Sequence, residues 1–297
     1  KASAPHLTIT LVDAAPASAI LKDERASAIA AAASRMLHQL GLWEEMLPHA
    51  QPISEMIVTD SRTADPVRPV FLTFGNEGNA DTDEPFAHML PNQVLIEALR
   101  RKATELGINL MHDEMVTDFE TMNPASSVTL RSGGTLQCRL LIAADGVRSH
   151  LRQLAGIKTV HWDYDQMGIV TTVAHERPHG GRAEEHFLPG GPFATLPLPG
   201  NRSSLVWTEP SDNAERLMAA DELTFELELE RRFGHKLGEI ELAGPRKAFP
   251  LGLTLARDFV KPRFALVGDA AHSIHPIAGQ GLNLGFKDAA ALAQVVV

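Results

Sequence analysis

An α/β fold, in which a parallel sheet is interrupted by an antiparallel one, is predicted by three strand ends and the segments between them. Leu7-Thr8-Ile9-Thr10-Leu11-Val12-Asp13 is a short β-branched run that stops at an acidic residue and a proline-containing loop. Leu140-Leu141-Ile142-Ala143-Ala144 runs into Asp145-Gly146, and Ala265-Leu266-Val267 runs into Gly268-Asp269. Near-continuous apolar runs of this length are the pattern of strands covered on both faces, as in a parallel sheet. The intervening stretches are rich in strand-like pieces broken by Gly and Pro. The predicted architecture is a Rossmann-like domain of residues 1–53, 88–158 and 251–297, interleaved with an antiparallel-sheet substrate domain of residues 54–87 and 159–250.

Each element has a local reason. In a dinucleotide-binding βαβ unit, an acidic residue ending the second strand bonds a ribose, some twenty residues after a first strand and a G-x-G-x-x-G turn. Asp13 is placed for that role, and alone it would equally well be a turn residue. Only six residues precede Leu7, so the first strand and its glycine-rich turn are expected upstream. Arg25 to Leu42 reads as a helix: it is alanine-rich, carries Met36, Leu37 and Leu40 at helical spacing and stops at Gly41, with Trp43 packing its end. Met56-Ile57-Val58 and Val70 to Phe74 read as strands leaving the nucleotide domain, followed by a solvated loop from Gly75 to Glu84. Asn92 can cap a helix from Gln93 to Leu106 that ends at Gly107. Ile108 to Met111, Val116 to Phe119 and Ser127 to Leu130 read as meander strands. Beyond Asp145, strands are expected at Met167 to Val173, Glu184 to Leu188, Phe193 to Leu198 and Ser203 to Thr208. A helix from Leu223 to Phe233 should back them, and the chain should return to the first domain near Pro250.

Composition narrows the function classes. The 297 residues are 44% hydrophobic, enough for a sizeable core, and carry a formal net charge of −10. No basic stripe interleaved with aromatics is present, which argues against nucleic acid as a partner. The single cysteine, Cys138, excludes an intrachain disulfide. Neither a signal peptide nor an apolar run of about 18 residues occurs, so a cytoplasmic protein is expected, with peripheral contact at the inner face of a membrane left open.

The third strand end carries the most chemistry. The carboxylate of Asp269, after Gly268, can accept a bond from a sugar-like hydroxyl. Gly279 and Gly281 let backbone amides approach a ligand, and a helix starting near Leu282 directs its positive dipole end at an anion. A flavin has both a polyhydroxyl chain and an anionic edge when reduced. His272 and His275 lie three residues apart, but no carboxylate or cysteine stands at metal-site spacing, so no metal is assigned.

The run Asp145-Gly146-x-x-Ser149-x-x-Arg152 resembles the middle fingerprint of class A flavoprotein hydroxylases, and Gly268-Asp269 with Pro276 resembles their Gly-Asp fingerprint. His275-Pro276-Ile277-Ala278-Gly279-Gln280-Gly281-Leu282-Asn283-Leu284-Gly285-Phe286-Lys287-Asp288 is similar to the narrower signature of the ubiquinone-biosynthesis hydroxylases. That resemblance covers nearly the whole chain and implies a para-hydroxybenzoate-hydroxylase-like fold with FAD as cofactor. By the same resemblance, NAD(P)H reduces the flavin, O2 adds at C4a, and the hydroperoxide hydroxylates a polyprenylated phenol or quinol. It implies that Asp13, Arg25, Asp145, Gly146, Gly268, Asp269, Gln280, Gly281, Leu282 and Asn283 contact FAD. Arg152 braces the Asp-Gly turn, and His275, Pro276 and Gly279 lie along the isoalloxazine. Relatives carry the glycine-rich loop upstream and further helices downstream, so these residues alone are expected to hold FAD weakly. The alternatives are a hydroxylase of a small soluble aromatic, a flavin-dependent prenyl reductase, or a non-catalytic member of a biosynthetic complex. No general base for the phenol follows from the sequence.

Overall fold

The computed structural model describes residues 1–63, 65, 67–75 and 85–297. The loop expected over 75–84 lies outside them, apart from Gly75. The parallel sheet is in two pieces. Thr10–Asp13 pairs in parallel with Asn109–His112, and Leu141–Ala143 pairs in parallel with Phe264–Leu266. The segment read as the first meander strand, Ile108 to Met111, therefore belongs beside Thr10–Asp13. The meander is Val116–Thr121, Ser126–Leu130 and Thr135–Cys138.

The helix expected from Arg25 is shorter than its alanine content suggests. Ala26–Ala30 is a strand, paired antiparallel with Ala87–Pro91, and the helix spans Ala31–Gln39. Alanine favours helix by only a few tenths of a kcal/mol per residue over most alternatives, so a full ladder of sheet bonds overrides it. Gln51–Ile53 completes this three-stranded sheet. Behind it Ile29, Leu37, Leu42, Trp43, Met46 and Leu90 form one apolar cluster, which places Trp43 in the core as expected.

The large sheet has nine strands. Along its path lie His272–Ser273, Lys247–Ala256, Thr159–His175, Arg202–Pro210, Gly191–Leu198, Arg182–Leu188, Glu55–Asp60 and Val70–Gly75, and Ile240–Leu242 pairs beside Thr159–His175. All pairs are antiparallel except Glu55–Asp60 against Arg182–Leu188. Lys247–Ala256 stays paired with the long strand until Ala256 meets Thr159, so the return expected near Pro250 falls inside this strand. Alternation along the strands gives the sheet two faces. On one, Ile169, Phe193, Leu205 and Trp207 pack under the helices Ser211–Ala219 and Glu222–Phe233 through Ala214, Leu217, Phe225 and Leu229. Each fully buried side chain of this size contributes roughly 1.5–3 kcal/mol. On the other face, Ala183 and Leu198 pack with Ala28, Ile53, Met56, Ala87 and Met89. That contact joins the sheet to the strand Ala26–Ala30.

Candidate active site

The Asp-Gly turn is a closed hydrogen-bond unit. Ser149 is fully buried and caps the helix His150–Leu154 by accepting from the Arg152 amide at 2.9 Å. Asp145 accepts from the Leu151 amide at 3.1 Å, and the Gly146 carbonyl accepts from the Ser149 amide at 2.9 Å. The Arg152 guanidinium donates to the Val147 carbonyl at 2.8 Å within the turn and to the Ala270 carbonyl at 2.7 Å in the Gly-Asp loop. One buried side chain thus braces the turn and fixes the two loops against each other.

The Gly-Asp loop is in turn tied to the last helix, Gln280–Val296. The Gly268 amide donates to Asp288 at 2.8 Å, and His272 Nε2 donates to the same carboxylate oxygen at 2.7 Å. A Cβ on Gly285 would meet the Gly268 Cα at 3.6 Å, so the helix lies close against the loop backbone. Asp269 is exposed and makes no hydrogen bond or ion pair among the described residues. Its neighbours are committed to holding the loop, and its own carboxylate is left for a ligand.

The loop before the helix is shaped by Gly279, which sits at φ 62, where a side chain is strained, and whose added Cβ would approach the Ala28 Cβ to 3.2 Å. Gln280 and Leu282 begin the helix at the surface, and a Cβ on Gly281 would meet nothing within 4 Å. Pro276 leads into the turn Ile277–Gly279. His275 faces Tyr164 with ring centroids 5.8 Å apart, its Nδ1 is buried without a partner, and burial lowers its pKa, favouring the neutral ring.

The Asn283 side chain is committed to the backbone. Its carboxamide accepts from the Ala30 amide at 2.9 Å and donates to the Ala28 carbonyl at 2.8 Å and the Gly279 carbonyl at 2.9 Å. Both donor hydrogens are used on backbone, so the side chain positions the helix against Ala26–Ala30 and has no donor to offer a ring edge.

The remaining residues form a second patch. Arg25 is held by Asp23 through two bonds of 2.8 and 2.7 Å, and this pairing lowers the Asp23 pKa to about 2. Asn92 accepts from Ser27 Oγ at 2.7 Å and donates to Asp23 at 3.2 Å. It is the first residue of the helix Asn92–Glu105 and makes no side-chain cap, which corrects the capping expectation. Asp13 accepts from the Ala15 amide at 3.0 Å and from Arg100 at 3.3 Å. Among strand-end carboxylates it is committed where Asp269 is not. Sequence reasoning missed Asp288 as the anchor of Gly268 and Asp23 as the partner of Arg25. The first stands at the end of the quoted signature and the second two residues before Arg25, yet neither spacing announces its partner.

Taken as a ledge, Arg152, the Gly268–Ala270 turn, the start of the last helix and Ala26–Ala30 form a connected frame, with an unpaired carboxylate at Asp269 and open space over Gly281. An exposed acceptor beside helix-terminal amides fits the hydroxylated chain and anionic ring edge of FAD. Among the described residues no group of His, Cys, Asp and Glu could hold a metal ion. Fold and site together define a class A flavoprotein hydroxylase.

Comparison with known proteins agrees. The family model described as FAD binding domain matches residues 8–296. Ubiquinone hydroxylase UbiL of Rhodospirillum rubrum is 43% identical over 295 residues, covering 98% of this chain and 67% of that protein. The 3-demethoxyubiquinol 3-hydroxylase of Escherichia coli is 33% identical over 280 residues, covering 93% and 68%. Among solved structures, P. aeruginosa PqsL in complex with 2-aminobenzoylacetate superposes with a TM-score of 0.78 at 22% identity, covering 96% of this chain and 78% of that one. Aklavinone-11 hydroxylase with FAD and aklavinone gives 0.75 at 18% identity, covering 98% and 57%; these two likenesses speak to the fold. The chain belongs to the FAD-dependent hydroxylases of the ubiquinone-biosynthesis family.

Proposed function

We propose that this protein hydroxylates the aromatic ring of a polyprenylated phenol or quinol in ubiquinone biosynthesis, with NAD(P)H and O2 as co-substrates. The observation that carries the reading is the unpaired, exposed Asp269 carboxylate on a frame held by Arg152, Asp288 and Asn283, in a chain 43% identical to a ubiquinone hydroxylase. When bound, FAD passes electrons from NAD(P)H to O2 so that one oxygen atom reaches the ring. The chain's own residues bind, orient and keep water out. Asp269 would accept a hydrogen bond from a flavin hydroxyl, and the first amides of Gln280–Val296 would stabilise its negative edge, with Gly281 leaving the approach clear. His275, Pro276 and Gly279 would hold the ring system. Asp145 and Gly146 would serve the phosphates, and Asp13 and Arg25 the adenosine end. In the proposed division into a nucleotide domain and a substrate domain, the substrate lies between this loop and the sheet face bearing Val170, Val206, Phe249 and Leu251. That apolar wall excludes water.

Among the described residues no helix is long and apolar enough to cross a membrane. Peripheral contact with a bilayer is proposed, since the substrate class is lipid-soluble and the sheet's last strand exposes Val70, Phe71, Leu72 and Phe74. The test is NAD(P)H oxidation by the full-length protein with FAD, with product identified by mass. Polyprenylated phenols should stimulate oxidation and gain one oxygen. Stimulation by short soluble phenols alone would defeat the substrate assignment, and none by any phenol would defeat the enzyme reading.

A further inference from the structure

Glu185 lies in the strand Arg182–Leu188 and is 3% exposed, yet its carboxylate makes no hydrogen bond or ion pair among the described residues. A carboxylate in that setting is unusual, because burying an unpartnered ionisable group is costly and such groups gather where a ligand completes them. Pairing register shows which way it faces. Its neighbours on the two flanking strands are Ala194 and Val58, and the row continues through Val206 and Val170. These residues alternate with Phe193, Trp207 and Ile169, which pack under the helices, so Glu185 stands on the opposite face. On that face Ala183, two residues earlier, packs in the same cluster as Ala28, and Ala28 is the residue that a Cβ on Gly279 would meet at 3.2 Å. Glu185 is therefore one strand step beyond the contact between the sheet and the flavin-facing loop.

We propose that Glu185 is the catalytic residue that binds the substrate's phenolic hydroxyl and takes its proton. The inference rests on the hydroxylase reading above. The O–H bond of the phenol breaks, its electron pair stays on the phenolate oxygen, and the proton moves to a Glu185 carboxylate oxygen, leaving a neutral acid. The phenolate oxygen raises electron density at the ring carbons ortho and para to it, where an electrophilic oxygen is received. Burial, unopposed by a cation, raises the Glu185 pKa and so strengthens it as a proton acceptor. The charged residues on this face are Asp60, at the register of the next inward position Phe187, Lys247 at the far end of the Val170 row, where it pairs with Glu24, and Arg202 and Glu241, which flank Ala174 farther along the strands. The strands packed beneath contribute Ala28, Ala87 and Met89, which carry no charge.

The test uses the full-length protein loaded with FAD and compares binding of a phenolic substrate analogue with its methyl ether, in the wild type and in Glu185→Gln and Glu185→Asp. The wild type should prefer the phenol by roughly tenfold or more, a charge-assisted bond being made only to the hydroxyl. Glu185→Gln should bind phenol and ether about equally and lose roughly a hundredfold or more in kcat, while Glu185→Asp recovers part of the preference and of the rate. A Glu185→Gln protein that keeps the wild-type preference and kcat overturns the role of Glu185 and leaves the hydroxylase reading intact. Failure of the wild type to bind any phenol overturns both.

Discussion

Two arginines, Arg152 and Arg232, are 5% and 7% exposed, and they are held in opposite ways. Arg232 is enclosed by acids: it meets Glu209 at 2.9 Å and Glu228 at 2.7 Å, and its guanidinium lies 4.5 Å above the Trp207 ring. Its charge is neutralised inside the helix-covered side of the sheet. Arg152 has carbonyl partners only, Ala270 and Val147, and no carboxylate within ion-pair distance among the described residues. A buried cation held by dipoles leaves a positive field at the junction of the two fingerprint loops, where an anion would complete it. The difference separates a buried charge neutralised by acids from one held between two loops by backbone carbonyls alone.

The largest expected effect tests the first kind. Arg232→Ala should cost about 3–5 kcal/mol, because it strands Glu209 in the interior with only Trp207 Nε1 at 2.7 Å and Asn213 at 2.7 Å as partners. Denaturant midpoints measure this, and FAD affinity at temperatures where the variant is folded should match the wild type. Arg152→Ala should cost about 2–3 kcal/mol, by leaving two carbonyls and the turn unsupported, and should also weaken FAD binding at least tenfold. A variant at Arg152 that loses stability but binds FAD normally would erase the contrast. Asp269→Ala is the complementary measurement: an exposed group without partners should change stability by less than about 0.5 kcal/mol, while FAD titration shows a loss of affinity.

The same contrast marks what could be read from the sequence. Ser149 and Arg152 follow the Asp-Gly pair within the same short segment, so a local spacing announced the brace, and the three apolar strands ending in acid or glycine announced the parallel sheet. The Asn283 carboxamide bonds Ala28 across 255 residues, and nothing local distinguishes that from a ligand contact. Ala26–Ala30 took strand geometry because of that clip and of the pairing with Ala87–Pro91, both invisible to helix propensity. Glu209 and Arg232 belong to different elements, 23 residues apart, and meet only once the helix Glu222–Phe233 covers the sheet. Ser211–Ala219, which packs beside it, was missed altogether.

Gly279→Ala carries a smaller expected effect, about 1–2 kcal/mol for holding a side chain at φ 62, with the approach to Ala28 adding to it. Gly281→Ala, where an added Cβ meets nothing within 4 Å, should leave stability nearly unchanged. Equal losses at both positions, read from thermal midpoints, would mean that the loop is not shaped by its left-handed residue.

The smallest effect concerns two histidines, one in each region. His275 beside the flavin-facing loop and His175 on the helix-covered side both have pKa values lowered from 6.5 chiefly by burial. For such a group the unfolded chain binds more protons than the folded one between the lowered value and 6.5, so stability rises with pH across that window. It is fully present above about 6.5 and is lost on acidification. The two rings differ in what surrounds them. His175 has both nitrogens occupied, by the Arg177 carbonyl at 2.7 Å and Ser203 Oγ at 3.1 Å, whereas His275 Nδ1 is buried with no partner. Replacing His275 by Gln should therefore remove its share of the acid sensitivity with little loss at pH 8, where His175→Gln should destabilise at every pH by breaking two bonds. Unfolding midpoints measured at pH 8 and pH 5.5 separate the cases, and a His275→Gln protein as acid-sensitive as the wild type would show that His275 is not kept neutral by the loop.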